Sequence, residues 1–252
     1  MKLKLFPLYL ILILLTCLVA GCVDEQVKSE DDTNAATVDE AEFAQIMAEA
    51  NSAYIKALVS TSQKNTSASE ASINLLVEKL TYVSETYGQA PPEMYANDKN
   101  WTSEIKRAVL IAAYSQEMLA SGDIEAAHTA LEPMRDLFFS LHERNGVIHM
   151  GDLLTVFHAS MEEAITFANA NDTERVASYI PTLEQEWQDV KDADKPASAD
   201  EEYEQTLAQV DSAIGVLNSS IINGDSAEIR TNAENLRLAF ARVFAKYGVV
   251  IS

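Results

Sequence analysis

Thiols, glycine and basic side chains are all scarce in this chain of 252 residues. The only two cysteines are Cys17 and Cys22, so nothing after residue 22 can form a disulfide. Covalent c-type haem, which needs a Cys-x-x-Cys-His pair, is excluded there, as are zinc ribbons and iron–sulfur clusters. Eight glycines are spread singly, with no glycine-rich phosphate loop and no Gly-x-Ser-x-Gly elbow. His-Glu-x-x-His is also missing, and no catalytic motif replaces these. Eighteen lysines and arginines stand against 39 acidic residues, a balance of −21. No basic patch forms, so nucleic acid is not an expected partner. Such acidity reads first as a solvated surface, and second as a field that draws cations or basic proteins.

What the chain does have begins at once. Lys2 and Lys4 precede an almost unbroken apolar run from Leu5 to Ala20, which ends in Val19-Ala20-Gly21-Cys22. The run is shorter than the roughly 20 residues a membrane span needs, and no basic stop-transfer cluster follows it. A basic start, an apolar core and a small-small-Cys ending together resemble the signal peptide of a bacterial lipoprotein precursor. The resemblance covers the first 22 residues. It implies removal of residues 1–21 and diacylglycerol on Cys22, with palmitate-type acylation making a stable multi-chain membrane anchor. Losing Lys2 and Lys4 takes the balance from −21 to −23. In that class an aspartate directly after the cysteine marks inner-membrane retention. Here Val23 holds that place, which favours the periplasmic face of the outer membrane if the cell has two membranes. Residues 22–37 are polar, acidic and without apolar period, which predicts a disordered tether with a reach of about 20 Å.

From residue 38 onward apolar residues recur at steps of three and four, the helical period. Eight segments carry it, with seams such as Phe43-Met47-Ala50-Tyr54-Ala57 and Trp101-Ile105-Ala108-Ala112. Thr37-x-x-Glu40, Ser67-x-x-Glu70, Ser198-x-x-Glu201 and Asp225-x-x-Glu228 are candidate N-terminal boxes. Breaks are expected at residues 88–92, Gly122, Gly146, Gly151, Pro196 and Gly224. The expected fold is all-α, built as up-down-up-down four-helix bundles with about eight helices.

The two halves match at a shift of 102 without a gap. Between Gly122–Val147 and Gly224–Val249, eight of 26 positions are identical, including Gly122/Gly224, Asp123/Asp225, Glu132/Glu234, Arg135/Arg237 and Gly146/Gly248. Upstream the correspondence continues at a shift near 107. A tandem duplication is expected, with repeats at 38–147 and 148–252. Gly-Asp would turn the chain into each last helix, and the closing glycine would cap it.

Candidate sites are few. Arg135 and Arg237, each three residues after a glutamate, are expected to form intrahelical ion pairs; the alternative is an anion site between the bundles. All four histidines lie between 128 and 158, with Met134, Met150 and Met161 among them. His142, His149, Met150 and His158 are the candidate metal set, since imidazole and thioether suit copper, or haem iron as axial ligands. His128 and His142 are about 21 Å apart along a helix and cannot share an ion. His142 aligns with Phe244, which points instead to a core role. The reading that fits best is a lipid-anchored, non-catalytic helical protein that binds or scaffolds another protein of the envelope, with no cofactor. A copper or non-covalent haem carrier is the alternative.

Overall fold

In a computed structural model, residues 39–252 are described. The signal segment, Cys22, the tether and Thr37 therefore lie outside the described residues; the first helix is capped by Asp39, whose side chain accepts from Ala41 N and Glu42 N at 3.1 and 3.0 Å. Among the described residues there are nine α-helical segments and no strand: α1 Glu40–Ser62, α2 Thr66–Thr86, α3 Trp101–Ala120, α4 Ile124–Leu131, α5 Pro133–Asn145, α6 Met150–Asn169, α7 Thr173–Asp192, α8 Tyr203–Asn223 and α9 Ser226–Tyr247. A short 3-10 turn, Glu93–Tyr95, interrupts the loop between α2 and α3. No helix among them is long and apolar enough to cross a membrane.

The eight periodic segments account for the nine helices once α4 and α5 are taken as one. Glu132 between them keeps helical angles (φ −53°, ψ −43°). Pro133 has no N–H to give, and its neighbours tighten to three-residue spacing, with Glu132 N donating to Thr129 O and Arg135 N to Glu132 O, both at 3.3 Å. The seams fill the core: from Phe43 to Tyr247 every seam residue is buried except Ile124 and Ile221, which are half-buried at helix ends. Each fully buried large apolar side chain contributes about 1.5–3 kcal/mol, so the seam decides the fold.

Packing follows chain order. α1, α2, α3 and α4 close into a four-helix ring through an α1–α4 contact, and α6, α7, α8 and α9 close through α6–α9. Short turns between helices that pack along their length make neighbours antiparallel. α5 on α6 and α1 on α9 join the two rings.

The turns repeat in detail. Between α1 and α2, Lys64 has φ 58°, and between α6 and α7 Asn171 has φ 58°. Lys64 N and Asn65 N donate to Thr61 O and Ser60 O; Asn171 N and Asp172 N donate to Ala168 O and Phe167 O. Every one of these partners is related by 107 positions. Asn65 and Asp172 then cap α2 and α7 through their side chains. At a shift of 102, Gly122 and Gly224 both take left-handed angles (φ 89° and 76°), and Asp123 and Asp225 cap the next helix.

Other expected boundaries move. Asn65, not Ser67, caps α2, because its carbonyl oxygen reaches Ala68 N at 3.2 Å. Ser198 lies ahead of α8, which starts at Tyr203 without a side-chain cap. Gly151 is no break: it sits inside the first turn of α6, where a Cβ would stand 1.7 Å from the carbonyl oxygen of Val249. The glycine is there so that the chain end can lie flush against the helix. Gly146 is a left-handed cap, but its counterpart Gly248 has φ −66° and leads into an extended end.

Candidate functional site

Three places bring polar or exposed apolar groups together. The first is the end of the chain. Beyond α9, Val250 and Ile251 are buried, and their backbone is held by one side chain of α1. Asn51 donates to Gly248 O (3.0 Å) and accepts from Val250 N (2.8 Å) and Ile251 N (3.0 Å), as a neighbouring strand would. Ser252 then reaches the first ring, where the Tyr95 hydroxyl donates to its carbonyl at 2.9 Å. His142, in the last turn of α5, is fully buried. Its Nδ1 lies 2.8 and 3.0 Å from the two oxygens of buried Asp152. A carboxylate on Nδ1 makes that nitrogen the donor, and Nε2 lies 3.2 Å from the Ser252 hydroxyl and 3.4 Å from the Ser252 carbonyl oxygen. Asp152 also accepts from His149 N at 2.8 Å, fixing the start of α6. Serine, histidine and aspartate stand in the connectivity of a hydrolytic triad. His142 is buried beneath Tyr95 (ring centroids 6.4 Å) while Ser252 is half-buried, and the chain they form ties the last residue to α5 and α6.

This tie takes up one member of the expected metal set, His142. His142 and His149 do meet, edge to face at 5.2 Å, but both nitrogens of His142 are engaged. Burial, followed by the neighbouring His142, lowers the pKa of His149, and its Nε2 is buried without a hydrogen-bond partner. The sulfur of Met150 turns to the Tyr203 hydroxyl at 3.5 Å. His158 sits elsewhere, against Phe240 at 5.4 Å. Among the described residues no group of three or more His, Cys, Asp or Glu is arranged to hold a metal ion.

The second place is a row of charges along the joint between the rings. Thr61 Oγ1 meets His128 Nδ1 at 2.8 Å, and His128 Nε2 lies 3.2 Å from Glu132. Glu132 pairs with buried Arg135, whose guanidinium lies over Phe244 at 5.7 Å. Arg237 holds Glu162 of α6 in a fork (2.9 and 2.7 Å) and Glu234 on its own helix (3.1 and 3.0 Å). Both expected intrahelical pairs form, and both arginines already carry carboxylates. A cleft of about 530 Å³ opens beside them, lined by Arg135, His158, Thr155 and Tyr179 but also by Glu132, Asp136, Glu162 and Glu163. Its charge is acidic, which suits no anion. Burial first, then Arg135 and Arg237, pushes the His158 pKa down to about 3. Glu162 is 3.7 Å away, but its charge is already claimed by Arg237.

The third place consists of two grooves. One, of about 670 Å³ between α3 and α4, is lined by Arg107, Leu110, Ile111, Tyr114, Ala126, Thr129, Ala130 and Pro133. The other, of about 330 Å³ between α8 and α9, includes Gln209, Ser212, Ala213, Val216, Asn232 and Asn235. These six are the counterparts, at a shift of 102, of Arg107, Leu110, Ile111, Tyr114, Ala130 and Pro133. Large apolar side chains stand out of both: Leu110 is 68% and Tyr114 54% exposed, Val216 48% and Leu238 58%. None lies on a seam, and that was the available signal: apolar residues spaced by four on the outer face of a helix, Leu110 and Tyr114. Neither the grooves nor the Asn51 clasp was anticipated from the sequence.

No protein-family model, curated protein or solved structure matches the chain.

Proposed function

We propose that this protein is a lipid-anchored, non-catalytic helical module of the cell envelope that binds or scaffolds another envelope protein. The observation that carries the binding role is the recurrence of a groove at equivalent positions of both rings, with exposed apolar side chains in each, Leu110 and Tyr114 in one and Val216 and Leu238 in the other. Scattered exposed apolar residues are ordinary on a protein surface, whereas the same site built twice is a feature the fold does not require. We read the two rings as copies of one ancestral four-helix unit. Support comes from the turn hydrogen bonds matching at 107, the glycine turns matching at 102 and the matched groove linings. The anchor rests on Lys2, Lys4, the apolar run and Val19–Cys22, and residues 23–37 would let the rings stand off the bilayer.

The test is in cells making the full chain, with a photo-cross-linking residue at Tyr114 or at Val216. Both positions are expected to capture the same envelope protein, and Cys22→Ser is expected to release the chain from the membrane fraction and abolish capture. Failure at both positions in an intact, membrane-bound chain rules out the binding role; a Cys22→Ser protein that stays membrane-bound rules out the anchor.

A further inference from the structure

Within a chain of 39 acidic and 18 basic residues, the only charged side chain lining either groove is an arginine, Arg107 in one and Arg242 in the other. The two arginines are not counterparts in sequence, since Arg107 corresponds to Gln209. In the second groove, however, Arg242 reaches across from α9 and donates to Gln209 at 3.2 Å. A guanidinium therefore stands at the same end of each groove, away from the Gly-Asp turn, supplied from different helices. Neither is firmly held: Arg107 has only Glu104 at 3.8 Å, and among the described residues Arg242 has no ion-pair partner.

Resting on the binding role above, we propose that each groove receives an amphipathic α-helix with an aliphatic stripe along one face and a carboxylate side chain at the arginine end. The walls are antiparallel helices, and Arg107 to Tyr114 spans seven residues, about 10 Å or two helical turns. In the first groove Leu110 and Tyr114 form a ridge beside a floor of Ala126 and Ala130, both at four-residue spacing, and in the second Val216 and Leu238 stand beside Ala213 and Ala239; such relief accepts a helix with anchors at i, i+3 or i+4, and i+7. A second copy of this chain is disfavoured as occupant, because a balance of −21 makes copies repel. The same field asks for lysine or arginine on the flanks of the incoming helix. Two grooves on one body make the interaction bivalent, so tandem helices on one partner would bind far more tightly than one.

The probe is a synthetic helical peptide with leucines at i, i+3, i+4 and i+7, a terminal glutamate and lysine flanks, titrated calorimetrically into the full chain. Two sites are expected. Leu110→Gln and Leu238→Gln, both at exposed positions, are each expected to leave one site and together none, with thermal unfolding unchanged. Arg107→Gln with Arg242→Gln is expected to weaken the glutamate peptide two- to fivefold and a glutamine version not at all. Equal binding of a peptide with its leucine stripe scrambled overturns the proposal, as does binding that ignores the groove variants. So does binding of dodecanoate or anionic vesicles where the peptide does not bind. If the cross-linkers at Tyr114 and Val216 capture a partner while the peptide ignores both grooves, the binding role stands and the helical ligand falls.

Discussion

At the scale of single residues, the joint between the rings is a set of unequal compromises. Arg135 is buried and its charge is balanced by Glu132, which is itself partly exposed. Taking away the buried member removes a desolvation cost along with the pair, whereas taking away its partner strands a guanidinium. Arg135→Met is therefore expected to be near neutral. Glu132→Gln is expected to cost about 1–3 kcal/mol, the lower part of that range reflecting solvent screening at Glu132; urea unfolding of the two variants reads the difference. His158 gives the second prediction. Its proton is taken up at the ordinary value near 6.5 in the unfolded chain but only at about 3 when folded, held off by burial and by Arg135 and Arg237. Between those values the unfolded state binds the extra proton, so stability falls as pH drops from 6.5, by at most about 1.4 kcal/mol per pH unit. His128 and His149, also lowered chiefly by burial, act in the same direction. His158→Phe is expected to flatten the dependence between pH 6.5 and 5, above the range where the carboxylates protonate. An NMR titration that finds His158 protonating near 6.5 in the folded protein would refute this.

At the scale of elements, a long helix and a five-residue tail pose opposite problems for a reader of sequence. Helices were legible because a seam such as Ile73-Leu76-Leu80-Val83 repeats its message every turn, and burial at each position supplies the energy that makes the pattern necessary. Ends were less so: Ser67 and Ser198 have the chemistry of caps, but the seam decides where a helix starts, and Asn65 comes first. Pro133 and Pro181 carry the same local signal, yet α7 runs on through Pro181 while α4 gives way to α5 at Pro133. The Asn51 clasp was not legible at all, since it joins positions about 200 residues apart through a side chain that looks like any polar residue on a helix. The candidate metal set failed to assemble for a related reason. Spacing placed His142 and His149 near one turn, and there they meet, but the engagement of the His142 nitrogens by Asp152 and Ser252 depends on where the chain end lies. Two substitutions test the clasp. Asn51→Ala loses three hydrogen bonds to buried backbone and is expected to cost about 2–4 kcal/mol. Gly151→Ala, which drives a methyl into Val249 O, is expected to cost about 1–3 kcal/mol. Both should raise hydrogen exchange at Val250 and Ile251 while leaving α2 and α3 protected.

At the scale of the whole molecule, the question is whether two rings make one folding unit. Each has its own buried seam and its own ring of neighbours, and the main helix contacts between them are α5 on α6 and α1 on α9, with Arg135 of α5 over Phe244 of α9. What crosses the joint most completely is the tail: Val250 and Ile251 are buried where the backbone passes from Gly151 of α6 to Asn51 of α1, with Tyr95 and His142 meeting Ser252. Burying two large aliphatic side chains contributes about 3–6 kcal/mol, comparable with the 5–15 kcal/mol that holds an ordinary domain together. A coupling of that size is enough to make the rings unfold as one. Intact protein is therefore expected to give a single calorimetric transition whose van't Hoff and measured enthalpies agree. Removing residues 249–252 is expected to lower and split it, the two parts melting separately. Because the grooves are lined from α3/α4 and α8/α9 and by no residue of the tail, the shortened chain is expected to keep both peptide sites but lose their fixed spacing, so that a tandem-helix probe falls back toward the affinity of a single one. Splitting of the melt without loss of the tandem advantage would mean that the tail holds the rings together but does not set the distance between the grooves.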